Sequence, residues 1–136
     1  MEFDTKIALV VRDDLELWQK LNVIAFLTSG IIGNTDDIMG ADYVDADGHC
    51  YHPLAIQPVI VLAASTDELQ RTRRRAADRG VKLAVYIEDM FATGHDQANR
   101  ATVAQHQSES LPLVGLAMRS EKKVVDKITK GLKLHR

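Results

Sequence analysis

The sequence has little of several residue types that mark particular classes of protein. Its 136 residues include one cysteine, Cys50, so an internal disulfide framework is excluded. Prolines number three, and aromatic residues make up 5% of the chain. No apolar run reaches the length of a membrane span, and the first residues, MEFDTK, lack the basic and then apolar layout of a signal peptide. We therefore expect a cytoplasmic protein with no membrane association.

An excess of basic charge is also missing. Seventeen Lys and Arg stand against nineteen Asp and Glu, for a net charge of −2. Residues 1–59 carry ten acidic and three basic side chains, whereas residues 121–136 carry two acidic and six basic ones. Nucleic-acid binding draws most of its affinity from Lys and Arg contacts to phosphates. We therefore expect nucleic-acid binding to be weak and sensitive to salt, if it occurs at all.

What the chain does contain is an alternation of apolar runs and helical patterns over one domain, residues 1–136. Branched apolar runs predict buried strands at residues 7–11, 59–64, 81–87 and 113–118, and Gly115 in the last run predicts a close approach of two backbones. Helical spacing predicts helices at residues 17–29, 65–79, 97–105 and 120–130. This order is typical of a small α/β sandwich, which we expect to be largely parallel.

Local residues predict where these helices begin and end. Asp13 or Asp14 is expected to cap the first helix, which should end near the Ser29–Gly30 pair. Ser65 and Glu68 form a capping box at the second helix, and Ser120 is expected to cap the last one. The second helix also carries five arginines, which we interpret as a solvated helix surface.

Residues 42–53, DYVDADGHCYHP, predict an irregular loop or a small hairpin, with a tight turn at Asp47-Gly48. His49, Cys50 and His52 lie close together here, but their spacing matches no standard zinc pattern, because the second pair of ligands is missing. We predict a polar surface loop or a loop bent over the site, and neither a metal nor a cofactor.

The candidate site lies at the end of the third predicted strand, in residues 81–96, VKLAVYIEDMFATGHD. The apolar run stops at Glu88 and Asp89, and Thr93, His95 and Asp96 follow within a few residues. Ligands of open α/β sheets bind at the carboxyl ends of strands, where loops are free of packing duties. The sequence therefore predicts a polar site around Asp89.

Four segments resemble peptidyl-tRNA hydrolase of the second type: KIALVVRDDLELWQKLNVIAF, QPVIVLAASTDELQ, RGVKLAVYIED and KKVVDKITKGLKL. DYVDADG, MFATGHD and DKITKGLKLH further resemble a bacterial branch of that fold without an assigned function. The resemblance implies a three-layer α/β sandwich, in which helices cover both faces of a four-stranded mixed sheet. It also implies a homodimer.

The resemblance places candidate catalytic residues at Asp89 and Thr93, which match the family's aspartate and threonine without a gap. Lys20 matches the family's lysine within one residue. The glutamine and histidine of the family's AQ..H motif have no counterpart between Leu21 and Leu27, and Phe91 and Ala92 replace a glycine and an arginine.

Two functions follow as alternatives. The first is a hydrolase of peptidyl-tRNA or a related ester or amide, in which Asp89 orients water or a base, Thr93 hydrogen-bonds the reacting group and Lys20 holds negative charge. His52 or His95 would then replace the missing histidine. The second, which we favour, is a binding protein that has kept the fold and holds a small polar ligand around Asp89. Its ligand would contact a cluster of Lys20, Asp89, Thr93, His95 and Asp96, and His52 is a further candidate binding residue. Asp89 and Thr93 can also act only as caps of the loop.

Overall fold

The computed structural model describes residues 2–136. Its main sheet has five strands in the order β5-β6-β1-β4-β7, and two further strands, β2 and β3, form a separate hairpin. The strands are β1 Thr5–Arg12, β2 Tyr43–Val44, β3 Cys50–Tyr51, β4 Val59–Ala64, β5 Ala84–Ile87, β6 Leu113–Glu121 and β7 Lys133–Leu134. The helices are α1 Leu17–Ile32, α2 Thr66–Asp78, α3 Asp96–Ala104 and α4 Lys122–Ile128. Short 3-10 helices span Glu88–Ala92 and Ser108–Ser110.

The strand directions make the sheet mixed. β1 runs parallel to β4, whereas β6 is antiparallel to both β1 and β5, and β7 is antiparallel to β4. The expectation of a mixed α/β sheet is confirmed, but the expectation that it is largely parallel is wrong. The expected number of four strands is also one too low, because residues 133 and 134 pair with β4 as a fifth strand.

Side chains of β1 alternate between the two faces of the sheet. Ile7, Leu9 and Val11 pack against α1, and Ala8 and Val10 pack against α2 and α4 on the other face. This period of two is what a strand between two helical layers requires. Helices therefore cover both faces, as expected from the resemblance.

Gly115 brings α1 close to the middle of the sheet. A Cβ atom on this residue would lie 2.7 Å from Val23 Cγ1 and 3.0 Å from Leu27 Cδ1. The predicted close approach at Gly115 is confirmed, and its partner is α1.

The first helix differs from its predicted ends. Its N-cap is Glu16, whose backbone N–H donates to Gln19 Oε1 over 3.0 Å. The helix continues past Gly30 to Ile32 and has Gly33 as its C-cap. Gly30 packs against the sheet instead, since a Cβ there would lie 3.2 Å from Ala84 Cβ.

The other helix caps agree in part with the sequence. The capping box of α2 is confirmed: the Ser65 N–H donates to Glu68 Oε1 over 3.0 Å, and the Glu68 N–H donates to Ser65 Oγ over 3.2 Å. Ser120 is not a cap, because β6 continues through it and α4 begins at Lys122 after Glu121.

Three arginines of α2 hold neighbouring segments. Arg73 and Arg74 bind the two carboxylate oxygens of Glu109 over 2.9 and 2.7 Å, and Arg75 donates to the carbonyl oxygen of Lys130 over 2.9 Å. The hydrogen bond and charge of Arg74, together with Arg73, lower the pKa of Glu109 below its usual value. The interpretation of a solvated helix surface is therefore wrong for Arg73 and Arg75, which are half-buried, whereas Arg74 is exposed.

Candidate functional site

The predicted junction at the end of β5 is present, although the strand begins at Ala84 and not at Val81. Tyr86 and Ile87 are buried. The chain then turns through the 3-10 helix Glu88–Ala92 and enters α3. This path puts residues 90–99 opposite the first half of α1, and a cleft lies between them.

The cleft has a volume of about 420 Å³. We call it the aromatic cleft, because four of its lining residues are Trp18 and Phe26 from α1, Tyr86 from β5 and Phe91. Ring centroids lie 6.0 Å apart for Trp18 and Phe91, 5.3 Å for Phe91 and Tyr86, and 6.2 Å for Tyr86 and Phe26. These separations fall in the range of favourable aromatic pairs. The rings therefore form one continuous wall.

Two of these rings face water over most of their surface. Trp18 is 60% exposed and Phe26 is 58% exposed. Tyr86 is buried beneath them, and this burial raises the pKa of its phenol. Large exposed rings in a concave site are typical of a binding surface.

Polar side chains form the opposite wall. The Thr93 hydroxyl lies 3.0 Å from the Met90 carbonyl oxygen and also within hydrogen-bond distance of Asn99 Oδ1. Since a hydroxyl has one hydrogen, Thr93 donates to one of them at a time. Asn22 of α1 also lines this cleft. Two amides and a hydroxyl thus stand beside the aromatic wall.

The predicted binding residues His95 and Asp96 also line the cleft, and both have local partners. His95 is the N-cap of α3, where its Nδ1 accepts from the backbone N–H of Ala98 over 3.2 Å. Asp96 forms an ion pair with Arg100 one turn further along the helix. Both side chains are exposed.

Asp89 is not among the residues that line the aromatic cleft. Its Oδ2 lies 3.2 Å from Nε2 of His106, and the two side chains are 30% and 27% exposed. No local pattern in the sequence points to His106, because seventeen residues separate it from Asp89 and only the return of the chain after α3 brings them together. The histidine paired with Asp89 is therefore neither His52 nor His95, the two candidates predicted to replace the family's histidine.

Lys20 and His52 lie away from the other predicted site residues. The Nζ of Lys20 is 3.1 Å from Nε2 of His135, whose backbone N–H donates to the Val61 carbonyl oxygen of β4 over 2.9 Å. This pair is near the β4 edge of the sheet, whereas Asp89 follows β5 at the opposite edge. Trp18 faces the cleft, and a residue two positions later points to a different side of a helix. His52 is exposed beyond β3.

The turn of the β2–β3 hairpin is stabilised by a carboxylate within the hairpin, that of Asp45. Asp45 Oδ1 accepts from the backbone N–H groups of Asp47 and His49 over 3.0 Å each, and Oδ2 accepts from the Tyr51 hydroxyl over 2.8 Å. The Tyr51 hydrogen bond is the main reason that the pKa of Asp45 is lowered. Ligand atoms of Asp45, Asp47 and His49 lie within 4.8 Å of one another, all three residues are exposed, and Cys50 is not in this group. The predicted hairpin is thus confirmed as a self-stabilised turn.

Within residues 2–136, no helix combines the length and the apolar character that crossing a membrane requires.

Comparison with known proteins adds a family and a structural relative. No protein with a curated description matches the chain. A solved structure of a protein of unknown function from Agrobacterium tumefaciens strain C58 is similar, with 50% sequence identity and a TM-score of 0.97 over 99% of this chain and 100% of that one. The family model described as protein of unknown function DUF2000 matches residues 5–136. The chain, with its aromatic cleft at the end of β5, therefore belongs to the DUF2000 family.

Proposed function

We propose that the protein binds a small ligand that carries both a flat apolar group and hydrogen-bonding groups, in the aromatic cleft at the end of β5. The observation that carries this proposal is the position of two mostly exposed rings, Trp18 and Phe26, opposite Thr93 and Asn99. Exposed aromatic surface gains free energy when a ligand removes it from water, and the nearby polar atoms fix the ligand's orientation.

The size and composition of the cleft support a small ligand. Its volume of about 420 Å³ lies within the range of about 300 to 1,000 Å³ that is typical of small-molecule sites. Asp96 is paired with Arg100, so no unpaired charge dominates the polar wall. We therefore expect a ligand that is polar and not strongly charged at this end.

Trp18 is the single tryptophan of the chain, so its fluorescence reports on the cleft without labelling. We would titrate the protein with nucleosides and N-acetylated aromatic amino acid amides and follow Trp18 emission. Thr93→Val should weaken the binding of any compound that quenches Trp18. Thr28→Val is the matched control, because the Thr28 hydroxyl donates within α1, to the Ile24 carbonyl oxygen, and does not line the cleft. Equal affinity in both variants would contradict the polar wall as part of the site.

A second candidate function is hydrolysis of an ester or amide at Asp89. The pairing of Asp89 with His106 supports it, because a carboxylate that holds one imidazole nitrogen orients the other as a general base. On this proposal the fold is of the second peptidyl-tRNA hydrolase type, and His106 serves in place of the missing AQ..H histidine.

The hydrolase proposal is tested with aryl esters and with peptidyl-tRNA. His106→Gln should remove turnover, whereas His52→Gln, at an exposed position, should not. Turnover that survives His106→Gln would contradict this role. We expect tRNA itself to bind weakly, since the net charge of the chain is −2.

We also propose a cytoplasmic homodimer. Support comes from large exposed apolar side chains outside the aromatic cleft, on α1 and around the hairpin: Leu17, Leu21, Tyr43, Val44, Tyr51 and Leu54. Exposed apolar surface of this kind favours association. Light scattering at micromolar concentration should give twice the mass of one chain, and a monomer there would contradict the proposal.

A further inference from the structure

The aromatic cleft is one end of a longer groove. It continues into a cleft of about 760 Å³ between α1 and α3, with which it shares Phe26 and Tyr86 as lining residues. That cleft in turn shares Lys82 and Ala84 with a third cleft of about 460 Å³, which Arg119 also lines. We call the three together the edge groove, because it follows β5 along its length.

The floor of the edge groove is an unpaired strand edge. β5 pairs with β6 on one side, and no strand among residues 2–136 pairs with its other side. In the same residues, no side chain or loop outside the sheet forms a hydrogen bond with the backbone of residues 84–87. Free N–H and C=O groups along a strand edge are a template for a further strand.

The walls of the groove limit what can reach this edge. Phe26 and Ser29 of α1 line one side, and Asn99 and Val103 of α3 line the other. A strand that carries its own covering helices, such as β5 of a second copy, would meet these walls, whereas a single extended chain fits between them. From residue 82 to residue 86 the groove is about 13 Å long at the usual rise of a strand, which is about the length of four or five extended residues.

The two ends of the groove differ in chemistry. Lys82 is exposed and Arg119 is half-buried, and neither belongs to an ion pair with a carboxylate of the described residues. The Nε of Arg119 donates to Gln57 Oε1 over 3.2 Å, which leaves its terminal nitrogens for another acceptor. Two cations without a carboxylate partner favour a carboxylate ligand. The far end is the aromatic cleft, which favours an apolar ring.

We infer that the edge groove binds one extended peptide, which adds to β5 as a further strand, places an apolar side chain in the aromatic cleft and places a carboxylate beside Lys82 and Arg119. This inference rests on the proposed function, because the same aromatic cleft anchors the peptide. Backbone pairing supplies affinity that depends little on peptide sequence, and the two ends select for an apolar group and a carboxylate about 13 Å apart.

The probe is a pool of acetylated hexapeptides with phenylalanine first, valine or threonine at the four middle positions and alanine last, with a free carboxylate. Binding is followed by Trp18 fluorescence and by the backbone amide signals of residues 84–87 in NMR spectra. Alternate amides of the best peptide are then N-methylated in two sets. Only one set faces β5, so we expect one set to weaken binding at least tenfold and the other to leave it nearly unchanged.

The carboxylate contact is tested with Lys82→Gln, which should weaken the binding of the free-acid peptide at least fivefold. Lys127→Gln is the matched control, because Lys127 is exposed, also lies in no ion pair and does not line the groove. An amidated peptide that ends in aspartate shows whether a side-chain carboxylate replaces the terminal one. If amidated alanine and free-acid peptides bind equally, the carboxylate contact is wrong.

Other results overturn the strand addition itself. If both N-methylated sets bind equally well, the peptide does not pair with the edge of β5. The same conclusion follows if peptide binding shifts only the amide signals of residues 90–99. A dimer in which the β5 amides are protected without peptide would assign the edge to a second copy. If small compounds quench Trp18 and no peptide does, the proposed function stands and this inference fails; if neither kind of probe quenches Trp18, both fail.

Discussion

Replacing Trp18 by alanine separates a role in binding from a role in the core. Truncating a fully buried tryptophan costs about 3–5 kcal/mol of unfolding free energy. Trp18 is 60% exposed, so about two fifths of that loss applies, or about 1–2 kcal/mol, a figure that includes the edge contact with Phe91. A ring that contributes so little to stability is free to contribute to binding, and we expect Trp18→Ala to weaken ligand binding at least tenfold.

Urea unfolding followed by circular dichroism gives the stability of this variant, since its tryptophan signal is gone. Ligand-induced shifts in melting temperature give its affinity. Leu134→Ala is the control, because Leu134 is 58% exposed, does not line the aromatic cleft and lies outside the surface proposed for the dimer. It should lose about 1 kcal/mol and keep full affinity.

Two outcomes would refute the reasoning. A loss of more than about 3 kcal/mol would show that Trp18 behaves as a core residue. An unchanged affinity at normal stability would show that the ligand binds elsewhere.

Three further changes test other parts of the structure. Gly115→Ala should lower the unfolding free energy by about 1–3 kcal/mol in urea melts, because its Cβ would meet Val23 Cγ1 at 2.7 Å. Glu109 has a lowered pKa, so its ion pairs stabilise the fold above its usual pKa of 4.5 and lose this effect as the pH falls. Glu109→Gln should therefore flatten the loss of stability on acidification, measured by urea midpoints at several pH values. Asp89→Asn should cost about 0.2–1 kcal/mol in thermal melts, because its partner His106 is also partly exposed, and should abolish any ester hydrolysis.

Each of these changes has a matched control. Gly94→Ala should be nearly neutral, because no atom lies within 4 Å of a Cβ at that position. Glu121→Gln and Asp67→Asn remove exposed carboxylates that lie in no ion pair with the described residues. If Glu121→Gln reduces the loss of stability on acidification as much as Glu109→Gln does, the ion pairs of Glu109 with the two arginines of α2 do not cause that loss.

The strands and helices that were predicted well have local signals. The apolar runs of β1, β4 and β6 and the capping box of Ser65 and Glu68 are complete within a few residues of sequence. Strand direction has no such signal, because the apolar runs of β6 and β4 look alike while one is antiparallel and the other parallel to β1. The alternation of residues 132–135 predicts a short terminal strand or strap, and β7 confirms the strand, but so short a segment carries no signal for the edge of the sheet that it joins.

The sequence predicts only some of the residues that the structure brings together at the end of β5. Thr93, His95 and Asp96 line the aromatic cleft, whereas Asp89, Lys20 and His52 do not. Trp18 and Phe26 could not be predicted as cleft residues, because a helical pattern identifies the buried face of α1 and leaves the use of its exposed face open. His106 becomes a partner of Asp89 only through the path of the chain after α3, which no local pattern encodes.

The C-terminal segment gives the sheet two edges of unequal length. Residues 133 and 134 pair with the outer side of β4, and the His135 N–H adds a further bond to the Val61 carbonyl oxygen. The edge on that side is therefore a strand of two residues, whereas the opposite edge, β5, is a strand of four. A very short edge strand is one way in which proteins limit pairing between sheets. Removing residues 132–136 would expose the six-residue strand β4, and a sheet with two long edges can pair with other sheets on both sides.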